Sequence, residues 1–244
     1  MILESLRHAR ADSLHRWAGR AAPVLGWAAV ILIGAGLAVG LLMAPRDAEQ
    51  GDIFRVAALH RPAAALAVAI YAAIAVLSIA TLRLRAKVAA MLAGALAPTG
   101  VLFTLLALWT EALWRRPVQG AWWAWEAESV SQLLMLFLYG GFIALRAMID
   151  DPRRADRAGA LMALLGAANL PVLYFSLYWW DVLRRGPAVA TRPEMTPALF
   201  LAALLVGAGF AAYAAFAALK RVRCLIAERE ALARSVRRMT ESAA

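Results

Sequence analysis

The sequence predicts an all-α integral membrane protein of six transmembrane helices, N-in/C-in, with a tryptophan-rich external loop. Three observations predict it: a composition too apolar for water, six long stretches without a charged residue, and a lopsided placement of arginine and lysine. Hydrophobic residues make up 63% of the 244 and charged residues 17%, against about 45–50% and about 25% in a soluble domain. Such a surface needs lipid as its solvent. Cys224 is the sole cysteine, which excludes an intramolecular disulfide framework and a CxxC thiol site.

The charge-free runs set the elements in order. Counting only Asp, Glu, Lys and Arg as breaks, they cover residues 21–45, 62–82, 88–110, 129–145, 158–180 and 195–219. Each reaches the roughly 17–25 residues that a helix needs to cross the hydrocarbon core, the fourth only at the lower limit. Lipid cannot satisfy an open strand's backbone groups, so the runs are read as helices. Their Ala/Leu/Val/Gly composition also lacks the alternation of a membrane barrel. The expected spans are therefore about 22–44, 62–82, 88–110, 129–146, 158–180 and 196–219 in one membrane domain, followed by a basic tail over 220–244. The first run is too long for the 7–15-residue core of a signal peptide, and it reads as a retained span. Before it, residues 1–20 mix Leu3, Leu6, Leu14 and Trp17 with Arg7, Arg10, Arg16 and Arg20, the pattern of a short interfacial helix.

Orientation follows from the basic residues. The N-terminal segment, the 83–87 turn, the 146–157 loop and the tail hold 18 of the 26 Lys and Arg, and the three alternate loops hold 8. The positive-inside bias places both termini in the cytoplasm. Topology also accounts for the net charge of +10 without a nucleic acid partner. The tail, from Lys220 and Arg221 to Arg237 and Arg238 with Leu225, Leu232 and Val236 between, reads as an amphipathic helix near anionic headgroups.

Candidate chemistry gathers on the other side. Seven of the nine tryptophans, Trp109, Trp114, Trp122, Trp123, Trp125, Trp179 and Trp180, sit at the external face, and Trp17 and Trp27 flank the opposite end of the first span. Taken singly, each suits an interfacial aromatic belt, but a belt populates both interfaces. A one-sided cluster suits a large, flat, apolar ligand. His60 is the only histidine outside the first twenty residues and precedes Pro62 at the mouth of span two. Two readings stand: an interfacial histidine bonded to water or a carbonyl, or a neutral imidazole ligating a metal such as haem iron. Glu111, Glu126 and Glu128 are read as solvated loop carboxylates rather than acid/base groups. A transport pathway usually needs ionisable groups or broken helices at mid-membrane, and the spans offer only Pro98 and Asn169 with Pro171. No HExxH, GxSxG or phosphate-binding motif occurs, so the reading is not of an enzyme.

Several segments together resemble one family. Trp122-Trp123-Ala124-Trp125-Glu126 is similar to the WWxWD signature of the CcmC family of haem-handling membrane proteins in cytochrome c maturation. Gly51-Asp52-Ile53-Phe54-Arg55 with His60-Arg61-Pro62-Ala63-Ala64, Ala97-Pro98-Thr99-Gly100 through Phe103-Thr104, and Asn169-Leu170-Pro171 with Trp179-Trp180-Asp181-Val182-Leu183 resemble further family stretches. The resemblance spans roughly residues 50–187. It implies a non-enzymatic subunit of the bacterial inner membrane that presents transiently bound haem b at the periplasmic face. Implied partners are a CcmE-type haem chaperone, a CcmA-type ATPase, a CcmB-type membrane subunit and a small CcmD-type subunit, besides the lipid bilayer. By position, His60 would ligate iron, Trp122, Trp123, Trp125, Trp179 and Trp180 would form the platform, and Arg55, Arg184 and Arg185 would meet propionates. Glu126 and Asp181 complete the motif positions.

The departures from the pattern are specific. The family's second histidine is replaced by Arg184, its motif aspartate by Glu126, the arginine two residues later by Glu128, a tryptophan by Gln119 and a glycine by Glu111. The alternative implied by these changes is a divergent scaffold or permease-like subunit of an ABC-type complex that no longer binds haem.

Overall fold

The computed structural model describes residues 2–46, 51–173, 175 and 196–242. All of its regular structure among these residues is helical. Six helices follow in order: α1 Ile2–Ala38, α2 Ala57–Leu84, α3 Lys87–Gln119, α4 Ala127–Ala147, α5 Pro152–Ala167 and α6 Pro197–Ser242. A π-helical turn, Val39–Met43, extends α1, and a 3-10 turn, Asp52–Val56, leads into α2. Five helical segments, Ala18–Met43, Asp52–Leu84, Lys87–Gln119, Ala127–Ala147 and Pro197–Glu228, are long and apolar enough to cross a membrane. The fifth expected span lies only partly within the described residues, as α5 and a helical stretch 169–173 after a break at Ala168.

One boundary differs from expectation. The first twenty residues do not form a separate interfacial helix but run without interruption into the first span, past Pro23. Proline at that point removes one backbone donor and still permits the helix to continue. The tail likewise continues the last span as one 46-residue helix.

The turns explain where the helices stop. Asp151 caps α5 by accepting a hydrogen bond from the Arg153 amide at 2.9 Å, with Pro152 at the first helical position, a pairing that satisfies donors left open at a helix start. Gly120 ends α3 in the left-handed region, φ 78°, and donates its amide to the Arg116 carbonyl at 3.1 Å. A side chain there would be strained, so glycine allows the chain to leave α3 directly into the tryptophan segment.

Packing is built around α2 and α3. α2 contacts α3, α5 and α6, while α3 contacts α2, α4 and α6. α1 lies along α6 in antiparallel fashion, with Gly19 beside Arg223, Gly26 beside Phe216 and Gly36 beside Val206. This pairing brings the N-terminal segment and the tail to one end of the bundle. Arg146, Arg221 and the α5 N-terminus share that end, which we call the basic end; the 111–128 segment marks the opposite, tryptophan end. The core joins Ile70, Tyr71 and Ile74 of α2, Phe103 of α3, Met135, Tyr139 and Phe142 of α4, and Val206 and Phe210 of α6. Val24, Trp27, Val30 and Ile31 face outward from α1, as expected of a surface solvated by lipid.

Several polar groups inside the bundle bond to helix backbone. Tyr139 packs edge-on against Tyr71 at 4.9 Å between ring centroids and donates its hydroxyl to the Ala67 carbonyl at 2.7 Å. Gly100 leaves the space that the Tyr139 ring occupies, since a Cβ at this position would collide with the ring. Asn169 donates to the Ser131 carbonyl at 3.0 Å, tying the stretch after α5 to α4. Arg221 donates from α6 to the Ala95 carbonyl at 3.2 Å and to the Thr99 hydroxyl. Pro98 lacks an amide and disrupts the local α3 ladder, so the arginine serves backbone near that break. Arg146 spans α3 and α5 through the Ala90 carbonyl at 3.1 Å and the Asp156 carboxylate at 2.9 Å.

Tyr139→Phe should cost about 1 kcal/mol, one net hydrogen bond, whereas Gly100→Leu should displace the ring and lower the melting temperature much further. Thermal unfolding in detergent, followed by circular dichroism, checks the order; a Gly100→Leu protein as stable as Tyr139→Phe would contradict this packing.

Candidate functional site

His60 sits in the first turn of α2 against the last turns of α3. Its Nδ1 lies 3.1 Å from the Ala107 carbonyl oxygen and 3.2 Å from the Thr110 hydroxyl oxygen. A carbonyl only accepts, so this contact places the ring proton on Nδ1. Thr110 agrees: its own hydroxyl donates to the Leu106 carbonyl at 2.7 Å, also approaching Ala107 O at 3.0 Å, which leaves its oxygen as an acceptor toward the imidazole. With Nδ1 protonated, Nε2 carries the free lone pair. A histidine whose other ring nitrogen donates to backbone has the fixed tautomer and orientation of a metal ligand.

About a turn and a half further along α3, a buried ionic network secures the tryptophan segment. Arg115, 4% exposed, donates Nε and Nη2 to Glu111 Oε1 at 3.0 and 2.8 Å, and Glu111 is itself 7% exposed. Its Nη2 also reaches Glu126 Oε2 at 2.9 Å and Ser129 Oγ at 3.2 Å, while Nη1 donates to Gln119 Oε1 at 2.8 Å. Ser129 donates to the same Glu111 oxygen at 2.6 Å. One guanidinium therefore joins α3, the end of the loop and the first turn of α4. The expectation that Glu111 and Glu126 are solvated loop carboxylates is corrected on this evidence. Burial of Glu111 is tolerable because Arg115 and Ser129 satisfy Oε1; its Oε2 has no hydrogen-bond partner among the described residues.

The loop itself presents rings outward. Trp125 is 80% exposed and Trp122 56% exposed, while Trp123 is half-buried and packs edge-on against Trp125 at 5.7 Å. Arg116 sits 5.8 Å over the Trp122 ring and donates Nη1 to the Gly120 carbonyl at 3.0 Å. That places an exposed cation beside the aromatic surface, where a carboxylate-bearing flat ligand would meet both.

Arg55 is held differently. Its Nη1 pairs with Asp52 at 3.0 Å and its Nη2 donates to the Ala44 carbonyl at 2.7 Å, and Asp52 also pairs with Arg46 at 3.1 Å. These bonds tie the 3-10 turn to the end of α1, beside a groove lined by Gly36, Leu37, Gly40, Leu41 and Leu59. Arg55 thus faces α1, and His60 faces α3. The structure joins His60 to the Trp122–Trp125 segment through α3, while the two bonded nitrogens of Arg55 are engaged by Asp52 and Ala44. Trp179, Trp180, Asp181, Arg184 and Arg185 lie outside the described residues.

Sequence reading passed over Ala107 and Thr110, the Arg115 hub, and Arg116. A usable signal existed for the hub: Glu111, Arg115 and Gln119 recur every four residues, which places them on one helix face. The backbone acceptor at Ala107 leaves no trace in residue type.

Comparison with known proteins adds three findings. The family model described as heme exporter protein C matches residues 5–237. Heme exporter protein C of Escherichia coli strain K12 is 37% identical over 213 residues, covering 87% of this chain and 86% of that protein. The proteins of the same name from Haemophilus influenzae and Bradyrhizobium diazoefficiens are 31% identical over 205 residues and 41% over 170, covering 83% and 70% of this chain and 83% and 64% of theirs.

Nitrogen NMR of the ring-labelled His60 should show the proton on Nδ1 and a bare Nε2, and Thr110→Val should retain that tautomer through Ala107. A proton found on Nε2 would contradict the arrangement.

Proposed function

The chain belongs to the heme exporter protein C family, and we propose that it holds haem at the tryptophan end of the bundle and passes it on. The observation that carries this reading is His60, fixed by the α3 backbone with Nε2 bare, on the same helix end that anchors an exposed tryptophan loop. The residues fit the group. A macrocycle supplies iron with its equatorial ligands, so one oriented imidazole provides an axial bond, and flat rings provide stacking area. Haem, as cargo, brings the iron chemistry; the chain's residues bind and orient it.

In this reading haem b is bound transiently, with His60 as axial ligand. Trp122, Trp123 and Trp125, joined by Trp179 and Trp180, form the platform. Arg116, Arg184 and Arg185 meet the propionates. Arg55 can contribute the donor hydrogens not given to Asp52 and Ala44. Arg184 stands where the family's second histidine is expected, so the sixth position is left to water or to a side chain of the receiving partner. That partner is a CcmE-type chaperone, and the CcmA-, CcmB- and CcmD-type subunits complete the assembly.

The membrane is the bacterial inner membrane, with the basic end in the cytoplasm and the tryptophan end in the periplasm. Support comes from the distribution of Lys and Arg and from the antiparallel pairing of α1 with α6, which brings both ends of the chain together.

Absorbance spectra of the detergent-purified protein, oxidised and reduced, test the haem reading. Wild type should show a saturable Soret band near one haem per chain; His60→Ala should lose it, and Arg184→His should tighten binding and shift the spectrum toward bis-histidine ligation. Haem content unchanged in His60→Ala would remove His60 from the site. Labelling with a membrane-impermeant maleimide tests orientation: a cysteine at Trp125 in a Cys224→Ala background should react in spheroplasts, and native Cys224 only in inverted vesicles. The opposite pattern would reverse the topology.

A further inference from the structure

We infer that Arg115 is the positioning residue of the tryptophan loop, clamping both ends of the 120–126 segment to the part of α3 that orients His60. The inference rests on reading that loop as the haem platform, and it assigns the platform's geometry to a side chain that touches no ligand.

The geometry carries it. The loop leaves α3 at Gly120 and enters α4 at Ala127. Arg115 binds Gln119 immediately before the exit and Glu126 and Ser129 at the entry. Its remaining bonds go to Glu111, one turn back on its own helix. Thr110 and Ala107, which hold His60, occupy that same stretch. Arg115 lies about 7.5 Å along the axis from Thr110, five residues at 1.5 Å each. Imidazole and platform are thus fixed from one rigid post, and two of the three rings between the clamped ends, Trp122 and Trp125, are exposed.

Physical chemistry favours positioning over stability as the purpose. Removing one guanidinium and two carboxylates from water costs about as much as their attraction returns, so buried ion networks contribute little net stability and serve better to specify one arrangement. A planar fork that meets two carboxylates, a hydroxyl and an amide at fixed angles does this where a lysine cannot. Glu111, Gln119 and Glu126, drawn from α3, its last residue and the residue just before α4, all bind this one side chain.

The test compares Arg115→Gln, Arg115→Lys and the charge-balanced Glu111→Gln/Arg115→Gln pair in the full-length, detergent-solubilised protein. Hydrogen–deuterium exchange of residues 120–126 is read before any haem is added. Amide exchange in that segment should accelerate in Arg115→Gln and in the double variant, with the core of α3 unchanged and partial rescue by Arg115→Lys. Haem affinity should fall about 10–100-fold, as when an outer-sphere partner is lost, with the His60-ligated spectrum retained. Unchanged loop exchange in both neutral variants overturns the clamp, whatever haem does. Faster exchange with undiminished haem affinity also overturns the proposal, because the clamped loop would then not set the platform. If wild type takes up no haem, the haem reading fails, and the exchange experiment alone decides for or against the clamp.

Discussion

In hydrocarbon a polar group has no water to fall back on, so a partner within the protein is what makes burying it tolerable. Helix α3 supplies most of these partners. Its carbonyls accept from Arg146 at Ala90, from Arg221 at Ala95 and from His60 at Ala107. A carbonyl already engaged in a helix ladder retains a second lone pair, which lets a side chain bond to it without breaking the helix. The consequence is a bundle whose neighbouring helices are registered against one central element at both ends, with the Phe103 and Tyr139 packing between.

That registration gives the tryptophan end its character. Precise placement needs supporting residues whose own orientations are fixed, and elements such as helices fix them better than loops do. Here the imidazole comes from α2 and the rings from a loop, yet both are referred to α3, through Thr110 with Ala107 and through Glu111 with Arg115. The basic end solves a different problem with similar parts. Arg146 pairs with Asp156, and the Phe142 ring lies 5.3 Å from the guanidinium, so a charge that would be costly in lipid is neutralised where α3, α4 and α5 meet.

Helices at five of the six expected spans were legible because charge is scarce in lipid, so long unbroken runs mark helices without reference to contacts. The continuity of α1 was less so: four arginines in residues 1–20 suggest a helix lying in the interface, and residue type alone does not distinguish that from a straight extension of the span. For the site, His60 and the tryptophans stand out by rarity and one-sidedness. Glu111 and Arg115 do not, because a charge near a loop is read as solvated until a partner is known. The i, i+4 pair was visible in the sequence, but Ser129 and Glu126, which make burial tolerable, arrive only when α4 folds back on α3.

Charge balance at this end constrains how a dianionic ligand can lie, given the proposed reading. Arg115 is surrounded by protein acceptors and already binds two carboxylates, so its charge is committed within the protein. Propionates would be repelled from the Glu111–Glu126 side at short range, since like charges in a poorly hydrated site interact strongly. Arg116, exposed over Trp122, offers a cation on the open edge of the loop instead. The plane of the ligand would then rest on Trp122 and Trp125 with its carboxylates turned outward from the clamp toward Arg116, leaving the apolar edge of the macrocycle toward the bundle. Such an orientation keeps the charged edge in water and buries only the apolar part of the ligand, which lowers the desolvation cost of holding it.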